Sequence, residues 1–305
     1  MIKFSRPLIF LLIIVLALLC YFVPFKPISI LVALLLAIIA IWLIAEKKYP
    51  GFSNKVFKNF TKTTLTLNNN TFELSTPTAD VIVKRATDEP FALLDGEEIP
   101  LTEDISIERD SKNLKYITLY LPRELDKIKL SLVAGDLDLS LASARLIEAQ
   151  SVSGNVKLLD IAANEITTKS VSGDVSLYNA SCDKLTAYST SGDCEIKRSK
   201  AQSIKAGSIS GDIELLSDFN SCDLSTTSGD IDITTEDKGF SLTLQSTTGD
   251  WTVFGRSGKG QYKEDGREGY SIKASSLSGS INVIRRSDKK VNRKDVGLIL
   301  PVMSQ

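Results

Sequence analysis

The chain has 305 residues, 43% of them apolar and 24% charged, with a formal net charge of −1. That balance makes no electrostatic case for a nucleic-acid partner. It contains no histidine, which excludes imidazole triads, histidine-based zinc sites and imidazole proton shuttles.

From the N-terminus, residues 8–23 form an unbroken apolar run, and residues 28–45 a second one, polar only at Ser29. Each approaches the roughly 20 residues that cross a bilayer. Pro24-Phe25-Lys26-Pro27 separates them. Residues 1–48 are therefore predicted to be two transmembrane helices, in contact with the lipid bilayer. A signal peptide is the alternative for the first run, with Lys3 and Arg6 as its basic head. Ala17-Leu18-Leu19 ahead of Cys20 is a poor cleavage site, however. Lys3, Arg6, Lys47, Lys48, Lys55, Lys58 and Lys62 flank the pair, against Lys26 alone in the turn. The positive-inside rule then puts both ends of the hairpin, and the β-rich remainder of the chain, on the cytoplasmic side of the cell membrane.

Residues 49–62 read as a basic connector. Residues 63–130 alternate apolar and polar: Leu65 and Leu67, Phe72 and Leu74, Val81 and Val83, Ile105 and Ile107. Asn68-Asn69-Asn70 and Asp95-Gly96 mark turns. Residues 116–121 form a strand ended by Pro122. This is a β segment predicted to cap the open edge of the next part.

Residues 131–284 repeat one phrase. Ala134-Gly135-Asp136 is a worn first copy. Then come Ser153-Gly154-Asn155, Ser172-Gly173-Asp174, Ser191-Gly192-Asp193, Ser210-Gly211-Asp212, Ser228-Gly229-Asp230, Thr248-Gly249-Asp250 and Ser278-Gly279-Ser280. The glycines lie 19, 19, 19, 19, 18, 20 and 30 residues apart. A fixed period of this length means stacked coils. Two and four residues past each glycine stand apolar pairs such as Val175 and Leu177, or Ile213 and Leu215, with a mostly polar residue between. A second apolar column runs through Ile147, Ile166, Leu185, Ile204 and Leu242, with Leu224 in the short coil, and small residues come two later at Ala149, Thr168, Ala187 and Ala206. A third precedes the turn at Val152, Val171, Thr190, Ile209, Thr227 and Leu277. The predicted class is all-β, a parallel β-solenoid of about 19-residue coils.

In this reading the glycines are corner residues that tolerate φ > 0. The flanking Ser and Asp complete the turn. Ser151, Ser170, Ser189, Ser208 and Thr226, three residues before each glycine, form a polar ladder. The row Asp136, Asp174, Asp193, Asp212, Asp230 and Asp250 would stack like charges, at roughly 1 kcal/mol per pair in water. A Ca²⁺ ladder would relieve it, though one carboxylate per coil supplies few of the six to eight oxygens such an ion takes.

Residues 255–269 are rich in glycine and carry Arg256, Lys259, Lys263 and Arg267, which predicts a protruding loop. Residues 285–305 form a basic tail with Arg285, Arg286, Lys289, Lys290, Arg293 and Lys294, a cap edge or a lipid contact. Cys182, Cys194 and Cys222 are an odd set and give no disulfide framework. Cys194 falls in a core column. Neither a phosphate loop nor a Cys-x-x-Cys pair is present, so no cofactor and no enzyme is expected. Polysaccharide cleavage by carboxylates is the remaining enzymatic alternative.

The phrase Ser-x-Ser-Gly-Asp-[Val/Ile]-x-[Leu/Ile], with the upstream Ile117-Thr118-Leu119-Tyr120-Leu121-Pro122, resembles a bacterial adhesin-like family, a domain of unknown function with Ser-Gly-Asp β-strand repeats. The resemblance spans residues 63–283. It implies a membrane-anchored solenoid in the cell envelope, on the extracellular side where the basic flanks point to the cytoplasmic one, that binds a protein or glycan, and it brings no catalytic residues. The expected function is a non-enzymatic interaction module. The alternative is a cytoplasmic-face regulatory scaffold in envelope stress signalling.

Overall fold

The computed structural model describes residues 62–288, apart from 103, 112, 113 and 123. The expected transmembrane hairpin, most of the connector and the tail beyond residue 288 lie outside the described residues. Among the described residues no helix is long and apolar enough to cross a membrane.

The segment before the repeats forms β1 (Lys62–Asn68), β2 (Thr71–Thr76), β3 (Asp80–Arg85), β4 (Phe91–Leu94), β5 (Glu97–Pro100), β6 (Ile105–Asp110) and β7 (Tyr116–Leu121). The first coils hold β8 (Leu125–Leu132), β9 (Leu137–Ser140), β10 (Ser143–Gln150), β11 (Val156–Leu159) and β12 (Ala162–Lys169). Next come β13 (Val175–Tyr178), β14 (Ser181–Tyr188), β15 (Cys194–Gly207), β16 (Ile213–Thr226) and β17 (Ile231–Thr235). The last are β18 (Ser241–Val253), β19 (Arg256–Glu264), β20 (Ser271–Ser276) and β21 (Ile281–Arg285), with a 3₁₀ turn after them at Arg286–Asp288.

The fold is all-β, and its coils stack in parallel register, as the period predicts. After the glycine corner, Leu137, Val156, Val175, Cys194, Ile213 and Ile231 align rung on rung, and so do Leu139, Leu158, Leu177, Ile196, Leu215 and Ile233. All twelve are buried. On the strand before the corner, Phe72, Ile128, Ile147, Ile166, Leu185 and Ile204 form the facing column. The repeat strands after each corner alternate, as in β9, β11 and β13, so one side fills a shared aliphatic interior and the other meets water. Ile117, Leu119 and Leu121 of β7 are buried on one face, as expected.

Two columns differ from the sequence reading. Leu224 is not in the second column; Cys222 pairs with Ile204 there, and Leu224 pairs with Ala206. The short coil loses its residue at the corner between Leu216 and Asp218, where Ser217 alone faces Arg198 and Ser199 of the coil below, so the rest of the strand keeps its register. The third column is not core. Val152, Val171, Thr190 and Ile209 are half-buried, and Leu277 is 53% exposed. Strand alternation explains this: Ser151 points inward, so its neighbour Val152 cannot.

The coils do not stack in chain order. Ile231 of β17 pairs with Ile281 of β21, and Ile281 pairs in turn with Trp251 of β18. Likewise Cys222 of β16 pairs with Ile272 of β20, which pairs with Leu242 of β18. The Gly279 coil is therefore inserted between the Gly229 and Gly249 coils. The first end shows the same device. β2 and β3 make a coil without a glycine, paired above with β8 and β9 and below with β1 and β7. The stretch expected to be a capping segment thus contributes a rung of its own. Residues 255–269, read as a loop, hold β19, which folds back antiparallel on β18 and closes the far end.

Candidate functional site

The Ser-Gly-Asp column is the first candidate, and three interlocking ladders account for it. All of the repeat glycines from Gly154 onward lie outside the left-handed region; among the repeat glycines only Gly135 has positive φ, at 124°. Glycine is needed there for space. A Cβ on any of the eight would sit 1.9 to 2.4 Å from a backbone oxygen of the adjacent rung. From Gly135 onward, that oxygen accepts a hydrogen bond from the buried hydroxyl three residues before the neighbouring glycine. Ser151, Ser170, Ser189, Ser208, Thr226, Ser276 and Ser246 donate to Gly135, Gly154, Gly173, Gly192, Gly211, Gly229 and Gly279 over 2.7 to 3.3 Å. The polar ladder is thus present, and it is interior.

The third ladder answers the like-charge row. Asp136, Asp174, Asp193, Asp212 and Asp230 each accept, through one carboxylate oxygen, the backbone N–H of the residue one rung above, at 2.7 to 2.9 Å. A hydrogen bond to a charged group contributes about 1.5–3 kcal/mol, which outweighs roughly 1 kcal/mol of repulsion in water. Asn155 does the same work with an amide oxygen. Asp250 stands apart, 3.6 Å from Lys259. Among the described residues no group of three or more His, Cys, Asp or Glu that could hold a metal ion is found. Because Asn155 serves natively, Asp193→Asn is expected to leave the thermal midpoint nearly unchanged, while Asp193→Ala costs about 1–3 kcal/mol. Equal losses in a urea melt would contradict the ladder.

The left-handed corner expected at the glycines lies six residues past them. Leu141, Asp160, Asn179 and Arg198 have φ between 52° and 56°. These side chains share no type, so the column is hard to see in the sequence.

No activated nucleophile accompanies the ladders. Burial pushes the Cys182 and Cys194 thiols up to about 12 and that of Cys222 higher still, the reverse of a reactive thiolate. These three cysteines are free. Tyr178 bonds Glu195, and burial together with that bond raises its hydroxyl to about 12. Lys197 pairs with Glu195 and, at 2.9 Å, with Glu214. Burial works against its charge, but the two carboxylates outweigh burial and raise its pKa. These groups hold one another.

A groove of about 410 Å³ crosses four successive coils on another corner. Its floor is small because the position nine past each glycine is Ala163, Cys182 and Ala201; buried Phe219 stands at that register in the short coil. Its wall is a row of Asn164, Asp183, Gln202 and Asn220. Gln202 donates to Asp183 at 2.7 Å. Ser181, Lys200, Asp218 and Lys238 complete the lining. Lys238 donates to the Phe219 carbonyl at 3.1 Å, and Asp218 pairs with Arg286 at 3.3 Å. Arg286 and Arg285, expected in a basic tail, are thus engaged within the fold; Arg285 meets Asp237 at 3.0 Å. The sequence reading missed this groove. Its signals were the small residues of one column and the amide-rich row beside it.

A family model described as Toastrack DUF4097, an uncharacterised domain, matches residues 55–284. No curated protein and no solved structure matches the chain.

Proposed function

We propose that this chain, which belongs to the Toastrack DUF4097 family, is a membrane-anchored, non-enzymatic interaction module that binds a cell-envelope protein or glycan along its polar groove. One observation carries the reading: four coils present a row of amide and carboxylate groups beside a floor that is small in three of them, at Ala163, Cys182 and Ala201. Such a row supplies paired donors and acceptors to an extended partner. The serines and aspartates of the glycine column are engaged in holding the coils together. The apolar runs at residues 8–23 and 28–45 support the anchor.

Photo-crosslinking in native membranes tests the site. A photoreactive residue replacing Gln202 in the full-length chain is expected to capture a partner that the same residue at Lys157, on a different face, does not. Equal capture from both positions would contradict the assignment.

Sidedness separates adhesion at the outer surface from a regulatory scaffold in the cytoplasm. The native thiols report it poorly, since Cys194 and Cys222 are buried. Leu277→Cys gives an exposed reporter. With the basic flanks facing inward, an impermeant maleimide is expected to label it only after lysis. Labelling of intact cells would overturn the cytoplasmic placement.

A further inference from the structure

The inserted coil points to a partner of a particular kind. β20 and β21 occupy a slot with neighbours on both sides: β16 and β18 flank β20, and β17 and β18 flank β21. The slot is lined by the buried side chains of Leu224, Ile231, Ile233, Leu242, Leu244 and Val253. The segment that fills it comes after the slot's last wall in the chain, so the slot is laid out before its occupant arrives. Residues 265–270 connect β19 to β20, and most of them are exposed. Gly269 there has φ 84°. Gly266 packs so closely that an added Cβ would lie 2.3 Å from the Phe240 backbone. The occupant is held at its end by exposed pairs, Arg285 with Asp237 and Arg286 with Asp218 and Glu236, and exposed pairs contribute little, about 0–1 kcal/mol each.

We propose that this slot also accepts residues 271–285 of a second copy of the chain, giving a dimer in which the two copies exchange their inserted coils. The exchanged segment makes the same registers, the same Ser276 bond to the Gly229 carbonyl and the same Asp230 bond to the Ser280 N–H. Only the connection at 265–270 changes path. Exchange of an identical element is a low-cost route to association, governed by the hinge. Anchoring in one membrane raises the local concentration of copies and favours it.

The test uses two full-length chains in detergent micelles, differently tagged, one carrying Asp232→Cys and the other Asn282→Cys. Asp232 and Asn282 face each other in register, their side chains 2.8 Å apart. After co-expression and mild oxidation, a disulfide joining the two tags is expected, dependent on both engineered cysteines. A second variant keeps the test independent of that pair. Deleting Asp265–Gly269 leaves Tyr270 alone between β19 and β20, a reach of about 7.6 Å against about 9.6 Å across β18, so that β20 cannot return to its own slot, and light scattering is expected to show the dimer share rising several-fold. Monomers alone in both experiments would overturn the proposal, as would a hinge deletion that leaves the dimer share unchanged.

Discussion

Gly211→Ala is expected to destabilise the protein by about 3 kcal/mol or more, at the upper end for a single added methyl. The added carbon would lie 2.1 Å from the Gly192 carbonyl oxygen and 2.5 Å from its carbon. Those atoms are backbone, held from both sides, so neither rung can give way alone. Moving Gly211 also disturbs the Thr226 hydroxyl that donates to its carbonyl and the Asp212 carboxylate that accepts from the Asp230 N–H. A corner glycine chosen only for positive φ would behave differently, because left-handed backbone costs an ordinary residue about 1–2 kcal/mol. Asn179, at φ 54°, supplies the comparison. Asn179→Gly is expected to be neutral or mildly stabilising. Urea unfolding of both variants checks the contrast. Similar, small losses would mean that close approach between rungs is not the reason for glycine.

A chain ended after Tyr270 is expected to lose far more than an end cap. The truncation removes Ile272, Ile281 and Val283, all fully buried, and burial of three such side chains contributes on the order of 5–8 kcal/mol. It also takes away the rung between the Gly229 and Gly249 coils. In a repeat stack, stability is a sum of neighbour interfaces, so β18 and β19 would come free while the rungs from β8 to β15 stay formed. Hydrogen exchange is expected to show lost protection at Leu242, Leu244 and Val253 and retained protection at Val156, Leu177 and Ile196. Had the coils stacked in chain order, the same truncation would leave the Gly249 coil seated.

Much of this was legible in the sequence. The nineteen-residue beat, the paired apolar residues after each glycine, β7 and the buried place of Cys194 all come from strand alternation and repeat spacing, which are local properties. What was not legible is non-local. A period says that rungs stack and leaves their order open. The order at each end depends on which open edge a strand meets, and the aliphatic residues of β18 and β20 suit either position. The reason for glycine was misread because crowding against Gly192 or Gly173 comes from another coil, while turn chemistry can be read from the residue itself. Leu224 was misplaced because a one-residue deletion shows in the sequence as a shift of everything after it. In the structure the corner at Leu216–Asp218 absorbs it. The groove escaped notice because no single residue in it is unusual. Asn164, Asp183, Gln202 and Asn220 become a row only when the coils are stacked.

Cross-linking of rungs tests the stacking most directly. Asp232, Asn282 and Thr252 share one register, with Asn282 in the middle. Adjacent parallel strands lie about 4.8 Å apart, within the Cα range of about 4.4–6.8 Å that a disulfide spans, whereas two rungs lie beyond it. In the monomeric fraction, Asp232→Cys with Asn282→Cys is expected to oxidise to an internal disulfide, and Asp232→Cys with Thr252→Cys to remain reduced. A ready bond between positions 232 and 252, with none between 232 and 282, would put the Gly249 coil directly on the Gly229 coil and contradict the account.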